Sequence, residues 1–391
     1  MVATVVAVVA VASVSVVAIA IGQLSSTVAS HTVHLARVGG SAPPPSIDAI
    51  KGVVNLLIVG SDTRKDQAGF QDAADQAASS GAGHNDVTIL VHIAADHQSA
   101  LLVSFPRDLM IPIPACPDPS GGTYRASSIA MFNATLGRGG LSCPVLTIEK
   151  LTGLDIPYAA SIDFDGVAAM ADAVGGVTVC VATPIHDPNV GLDLTAGEHT
   201  ISGATARAFL RTRHGVGDGS DLGRISNQQI YLSALARTVK SSGVLTNPLK
   251  LYGLARAATS NMQLSDTLAH LDTMAGIALA LKNMPLSNVA MIQYPVGSSP
   301  LYPNRVVPSP AADAVVTTAL QNDQRVQLTG TTGRGAELAP KQSSPPPPTP
   351  SGVSATPTPT SSGPAAVALP DTVQGQSADQ QTCSKGRIVR G

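Results

Sequence analysis

The chain has 391 residues, of which 44% are hydrophobic and 13% charged, with a formal net charge of −2. That balance excludes a global basic field of the kind that draws nucleic acid. Aromatics make up 3% and Trp is absent, so stacking platforms for bases or sugars are scarce and binding must work through charge and aliphatic surface.

The chain opens MVATVVAVVAVASVSVVAIAIG, and positions 2–22 carry no charge and three hydroxyl side chains, Thr4, Ser13 and Ser15. At ~1.5 Å rise per residue such a run spans roughly 30 Å, a bilayer core. A buried core helix is rarely this apolar all round. A signal peptide has a basic leader and a shorter apolar stretch, although STVAS at 26–30 is a weak cleavage candidate. The reading adopted is one membrane anchor over 1–22, then a juxtamembrane linker over 23–50 that ends in APPPS. No Lys or Arg precedes the anchor and the first after it is Arg37, so charge leaves its orientation open.

A dense apolar region follows. VVNLLIVG (53–60), VTILVHIAA (87–95) and SALLVSF (99–105) suit buried strands, with Asp96 and His97 turning between the last two. Residues 161–174 suit a short strand and an amphipathic helix, and GGVTVCV (175–181) another strand. Residues 225–240 are helical by spacing, with Ile225, Leu232, Leu235 and Val239 on one side. Helices over 248–260 and 265–282 and a strand VAMIQYPV (289–296) complete an alternating pattern. This predicts a layered α/β domain over 51–325. The segment PPPPTPSGVSATPTPTSSGP (345–364) cannot bury a core, so 326–391 is expected to be a disordered Pro/Ser/Thr-rich tail. The four cysteines include no C-x-x-C pair, which argues against zinc or a thioredoxin site. Cys116 and Cys143 flank a Pro/Gly/Ser-rich loop; in an exported domain they are candidates for a disulfide, the alternative being buried thiols.

Four polar islands sit at strand ends: GSDTR (60–64), HND (84–86), FPRD (105–108) and LRTRHGVGDGSDLGRISNQQ (210–229). Each alone reads as a solvated turn. Together, in a charge-poor chain, they point to a site at one end of the sheet. Arg64, Arg107, Arg211, Arg213 and Arg224 suit phosphate recognition. Arg211 and Arg213 are two apart, which on a strand gives one side. Asp221, Arg224 and Gln228 share a helix face, and Asp221 suits an N-cap for a helix starting at Leu222. Asp62 and Asp86 supply carboxylates of the kind that hold Mg²⁺ beside a phosphate. Walker, G-x-G-x-x-G and G-x-S-x-G motifs are absent, so the pattern describes a diphosphate site rather than a nucleotide or acyl-transfer site.

NLLIVGSDTR, NDVTILVHI, VSFPRDLMIPIP, GLDLTAGEHTISGATARAFLRTRH and DLGRISNQQ, in this order over about 50–285, resemble the LytR–CpsA–Psr family of cell-wall enzymes. The Ala/Val-rich style and the Cys116/Cys143 pair resemble actinobacterial members. The resemblance implies a membrane-anchored, extracytoplasmic three-layer α/β/α domain with a central mixed sheet. It implies a phosphotransferase that moves a glycopolymer, arabinogalactan among the candidates, from a polyprenyl-diphosphate carrier to peptidoglycan. The phosphodiester forms at the muramic acid 6-hydroxyl and polyprenyl phosphate leaves. By match to the family motifs, Arg107, Arg211, Arg213, Arg224 and Gln228 become diphosphate ligands. Asp86, with Asp62, becomes a Mg²⁺ ligand, and Asp221 is the Asp before the helix arginine. Arg107, Arg224 and Asp221 are the expected catalytic set, and either Asp62 or Asp221 the acceptor's base. The chain departs from the family at His84 and Asn227, where many members carry Arg. Three rivals differ in kind: a polyprenyl-diphosphate phosphatase using water, a non-enzymatic wall-binding scaffold, and a transcription regulator, against which the charge balance and the anchor argue.

Overall fold

The computed structural model describes residues 22–23, 26–28, 31–36, 52–63, 82–241, 247–339 and 366–387. The expected anchor (apart from Gly22), most of the linker and the Pro-rich run 345–364 lie outside them. Among the described residues no helix is long and apolar enough to cross a membrane.

The strands used below are β1 Thr32–Val33, β2 Val54–Ser61, β3 Asn85–Ile93, β4 Ala100–Ser104, β5 Tyr158–Ile162, β6 Val177–Thr183, β7 Gly197–Ile201, β8 Met262–Ser265, β9 Val289–Gln293, β10 Ala336–Leu338, β11 Gly375–Ser377 and β12 Thr382–Lys385. The helices are α1 Ser142–Thr152, α2 Phe164–Ala173, α3 Gly203–Arg211, α4 Asp221–Ser241, α5 Pro248–Ser260, α6 Leu271–Asn283 and α7 Pro310–Gln321. The main sheet has the order β1-β8-β5-β2-β3-β4-β9-β11 and is mixed: β2, β3 and β4 run antiparallel to their neighbours in sequence, whereas β5 is parallel to β2 and β9 to β4.

The apolar runs of the central strands follow from burial on both faces. Leu57 and Val59 of β2 point into one cluster with Val145 and Ile148 of α1 and Val316 and Leu320 of α7. Val54, Leu56 and Ile58 point the other way, toward Ile277 of α6 and Leu232 of α4. Helices therefore cover both faces and the sheet is the middle of three layers. A second sheet, β7-β6-β12-β10, packs with α2, α3 and α4 around Val177, Val179, Phe209 and Tyr231.

Two expectations need correction. The tail expected over 326–391 is not uniform: its described parts, 326–339 and 366–387, are folded into the domain. β11 pairs with β9 at the edge of the main sheet, and β12 lies between β6 and β10 in the second. Cys383 of β12 is bonded to Cys180 of β6, and of the two alternatives for Cys116 and Cys143 the structure has the disulfide. The sequence signal for β12 was weak because QTCSK has no apolar run; its burial comes from Cys383 and Ser384 packed between two strands. The helix expected from 265 begins at Leu271, because Ser265 ends a strand, β8, pairing with β5.

Candidate active site

Strand direction assembles the polar islands. β2 ends at Ser61 opposite Asn85 at the start of β3, so Asp62 and Asp86 emerge at the same end of the sheet. β4 returns antiparallel to that end, where Phe105 N–H still donates to Thr88 O (2.9 Å) and Pro106 turns the chain into Arg107. Sequence positions 62, 86 and 107 are thus brought together by two successive reversals.

Helices supply the rest. Arg207 and Arg211 lie four residues apart on α3, hence on one face. Beyond Thr212, which follows the helix, the chain is gripped by Asp187: its carboxylate accepts from Thr212 Oγ1 (2.7 Å), Arg213 N–H (3.3 Å) and Gly215 N–H (3.2 Å). α4 then starts at Asp221, with Ser220 Oγ accepting from Gly223 N–H (3.3 Å). The capping contact is therefore made by Ser220, not by Asp221 as expected, which frees the Asp221 carboxylate for other work.

At the centre is a network of arginines and carboxylates. Arg107 Nη1 donates to both oxygens of Asp86 (2.8 and 2.9 Å). Arg224 reaches the same residue twice, Nη1 to Asp86 Oδ2 (3.3 Å) and Nη2 to Asp86 O (2.8 Å). Asp221 Oδ1 lies 2.5 Å from Arg224 Nη2, and Asp221 Oδ2 accepts from Arg107 N–H (3.2 Å). Arg107 and Arg305 flank Asp108, at 3.8 and 3.2 Å. Arg224 is 6% exposed, a burial tolerable only because carboxylates compensate the charge. Even so, Arg107 Nε and Arg224 Nε are buried donors with no hydrogen-bond acceptor among the described residues. Two guanidinium groups lining one cavity are of the kind that bind an anion with more than one oxygen.

Titration follows the same logic. Burial alone pushes the Asp86 carboxyl up, but the charges of Arg224 and Arg107 outweigh it and hold the group below its ordinary 3.8. Asp108 moves the other way: burial, then the neighbouring Asp221 charge, raise it more than Arg107, Arg305 and Arg213 lower it. Because the folded value of Asp86 is depressed, its stabilising contribution is complete above the unfolded value and is lost as pH falls through the folded one. Urea unfolding of the wild type and of Asp86→Asn between pH 2 and 7 should therefore show a gap in stability that narrows below about pH 4.

Beside the network is a cavity of about 410 Å³. Its polar lining includes Asp62, Asp86, Arg107, Arg207, Arg211, Arg224 and Gln228; its apolar lining includes Ile89, Val167, Met170, Leu210, Leu232, Leu235 and Met262. Six of the residues expected from sequence therefore converge here. Arg213 does not line the cavity: Arg211 ends a helix rather than a strand, so the two arginines do not share a side, and the Arg213 charge acts on Asp108. Arg64 lies outside the described residues. Arg207 was missed, although its four-residue spacing from Arg211 was readable; its Nη1 pairs with Asp165 Oδ1 (3.0 Å). Of the two departures, His84 donates its backbone N–H to Asp62 Oδ1 (2.6 Å), with its ring Nδ1 3.6 Å from Oδ2. Asn227 is fully buried and does not line the cavity.

Among the described residues no three His, Cys, Asp or Glu side chains group into a metal cage. Two carboxylates in one cavity wall fit Mg²⁺, which binds protein through one or two carboxylates and keeps its other positions for water and phosphate oxygen.

The LytR_cpsA_psr family model matches residues 20–323. The chain is 31% identical over 307 residues to the cell wall biosynthesis protein LcpA of Corynebacterium glutamicum, covering 72% of this chain and 56% of that protein, so it spans little more than half of that relative's length. It is 28% identical over 222 residues to TagT of Bacillus subtilis, a polyisoprenyl-teichoic acid–peptidoglycan teichoic acid transferase, covering 54% and 62%. Its fold is similar to that of a LytR-Csp2A-Psr enzyme from Actinomyces oris (TM-score 0.54, 21% identity, 74% of this chain and 96% of that one). A family match over most of the chain, on a fold shared with solved members, leaves one conclusion: the chain belongs to the LytR–CpsA–Psr family.

Proposed function

We propose that this chain is a membrane-anchored, extracytoplasmic phosphotransferase that moves a glycopolymer from a polyprenyl-diphosphate carrier to peptidoglycan. One observation carries the reading: a single cavity joins a cluster of guanidinium groups to a wall of Val, Leu and Met side chains. A headgroup bearing two phosphates and an aliphatic tail has both partners there. The relatives named as transferases point the same way, and two disulfides suit an oxidising compartment outside the cytoplasm.

In this reading Arg107, Arg211 and Arg224 bind the diphosphate oxygens, with Gln228 as a neutral donor and Arg207 beside them. Asp86, which holds Arg107 and Arg224 in place, is the carboxylate that with Asp62 would hold Mg²⁺; the ion would add positive charge at the phosphate oxygens. Both oxygens of Asp221 are turned to Arg224 and the Arg107 amide, so Asp221 also positions these arginines; Asp62 accepts from the His84 amide, and one of these two carboxylates takes the proton of the acceptor hydroxyl. The hydroxyl oxygen forms a bond to the sugar-linked phosphorus, the bridging P–O bond breaks, and prenyl phosphate leaves. Catalysis of this kind is mostly positioning and charge stabilisation.

The lipid half of the site is testable separately. Val167→Trp places a ring in the apolar lining. Native mass spectrometry of the detergent-purified chain should find polyprenyl phosphate or diphosphate bound to the wild type and lost from this variant, with inorganic pyrophosphate affinity unchanged. Wild-type lipid retention in Val167→Trp would remove the cavity from the lipid path.

A further inference from the structure

Asn227 stands between Arg224 and Gln228 in sequence but faces away from the cavity. Its Nδ2 donates to Phe209 O (2.6 Å), while the next residue's Gln228 Nε2 donates to Leu210 O (3.1 Å). Two adjacent amide side chains of α4 thus hold two of the last carbonyls of α3, groups that a helix end leaves without intrahelical partners. That final turn carries Arg211. The remaining face of the Asn227 amide is also engaged: Oδ1 accepts from Ser384 Oγ (2.5 Å) of β12. Asn227 and Ser384 are both fully buried.

The residue type follows from this geometry. The position demands one donor and one acceptor on one short, neutral group, which a carboxamide provides. Arginine has donors only, and its charge would be enclosed without a carboxylate. An arginine expected here as a ligand would therefore not fit this chain, whose own C-terminal strand occupies that side of α4.

The chain at and just after β12 extends the same bracing to the connection between α3 and α4. Gly217 N–H donates to Lys385 O (2.8 Å) and Arg387 N–H to Gly215 O (2.8 Å). The Arg387 guanidinium rests on Gly219, where a Cβ would lie 2.5 Å from Nη1 and where φ is +79°. The glycine turn is therefore seated under the C-terminal strand.

We propose that Asn227 is a positioning residue, oriented by Ser384, whose amide fixes the last turn of α3 against α4 so that Arg211 and Arg224 address the same anion. This rests on the diphosphate reading of the cavity. It makes the C-terminal strand part of the binding machinery, although no residue of that strand lines the cavity.

The test uses the full chain, with inorganic pyrophosphate as probe in calorimetric titration and amide hydrogen exchange over 207–214. Ser384→Ala removes one arm of the bracket and Asn227→Ala both. Affinity should fall about threefold in the first and about tenfold in the second, roughly one and two hydrogen bonds' worth. Exchange at Thr212, whose N–H donates to Ala208 O, should quicken in both. Wild-type affinity in folded Ser384→Ala and Asn227→Ala, with Arg211→Ala weakened, overturns the proposal, because a merely structural role would lower the thermal midpoint alone. Wild-type affinity in Arg211→Ala as well overturns the diphosphate reading instead. Exchange at Thr212 then decides the bracket by itself: faster in Ser384→Ala supports it, unchanged overturns it.

Discussion

Arg224→Ala should abolish measurable transfer, with a loss of at least about a thousandfold in kcat/KM, the scale of removing a charged stabiliser from a phosphoryl-transfer site. It should also destabilise the fold. Arg224 is the shared partner of Asp86 and Asp221, so its removal leaves buried Asp221 without a paired side-chain cation and Asp86 with Arg107 alone. Breaking a buried pair on one side costs about 3–5 kcal/mol. Urea unfolding at pH 7 checks the size, and activity at a temperature where the variant remains folded separates the two effects. Arg224→Lys should recover part of the stability and little of the activity. One ammonium cannot reach Asp86 Oδ2, Asp86 O and Asp221 at once and still offer a donor to substrate. Full transfer by folded Arg224→Ala would remove the clamp from the mechanism.

The second large effect concerns Cys383. Its bond to Cys180 closes a sequence separation of 203 residues, against 27 for Cys116–Cys143. Loop-closure entropy assigns about 5 kcal/mol to the longer closure and about 3.5 kcal/mol to the shorter. The Cys180→Ser/Cys383→Ser pair should therefore lower stability more than Cys116→Ser/Cys143→Ser, as urea midpoints without reductant would show. Loss of the long-range bond leaves β12 on β6 by hydrogen bonds and packing alone, so the damage should extend to the glycine turn and not stop at the sheet. Equal midpoints for the two double variants would mean that β12 is held by its hydrogen bonds and packing alone.

How much of this was readable in the sequence depended on how local the cause was. The central strands were legible because burial on both faces writes itself as apolar runs such as LLIV and ILV. The polar islands were legible because charge is rare in this chain and each island abuts a strand. The Cys116–Cys143 pairing was legible because the two residues flank one loop. Less legible were features imposed from a distance. β12 pairs across 203 residues through a segment with no apolar pattern. Arg211 sits at the end of a helix rather than on a strand, because Asp187, from another hairpin, ends the turn after it. Asn227 looked like a lost ligand from its place in the motif; its reason lies in Phe209 and Ser384, one 18 residues before it and the other 157 after. Arg207 was readable and overlooked, since its spacing from Arg211 puts the two on one helical face.

In the proposed reaction the cavity passes a phosphate-linked polymer to a sugar hydroxyl rather than to water. The most direct measurement follows the label in a reconstituted reaction: purified chain, Mg²⁺, a short polyprenyl-diphosphate oligosaccharide carrying ³²P in the sugar-linked phosphate, and peptidoglycan fragments. The label should become covalently attached to peptidoglycan, sensitive to phosphodiester cleavage, with unlabelled prenyl monophosphate released in equal amount. Label recovered only as free oligosaccharide phosphate, or no turnover by a folded chain that binds the lipid, would contradict it.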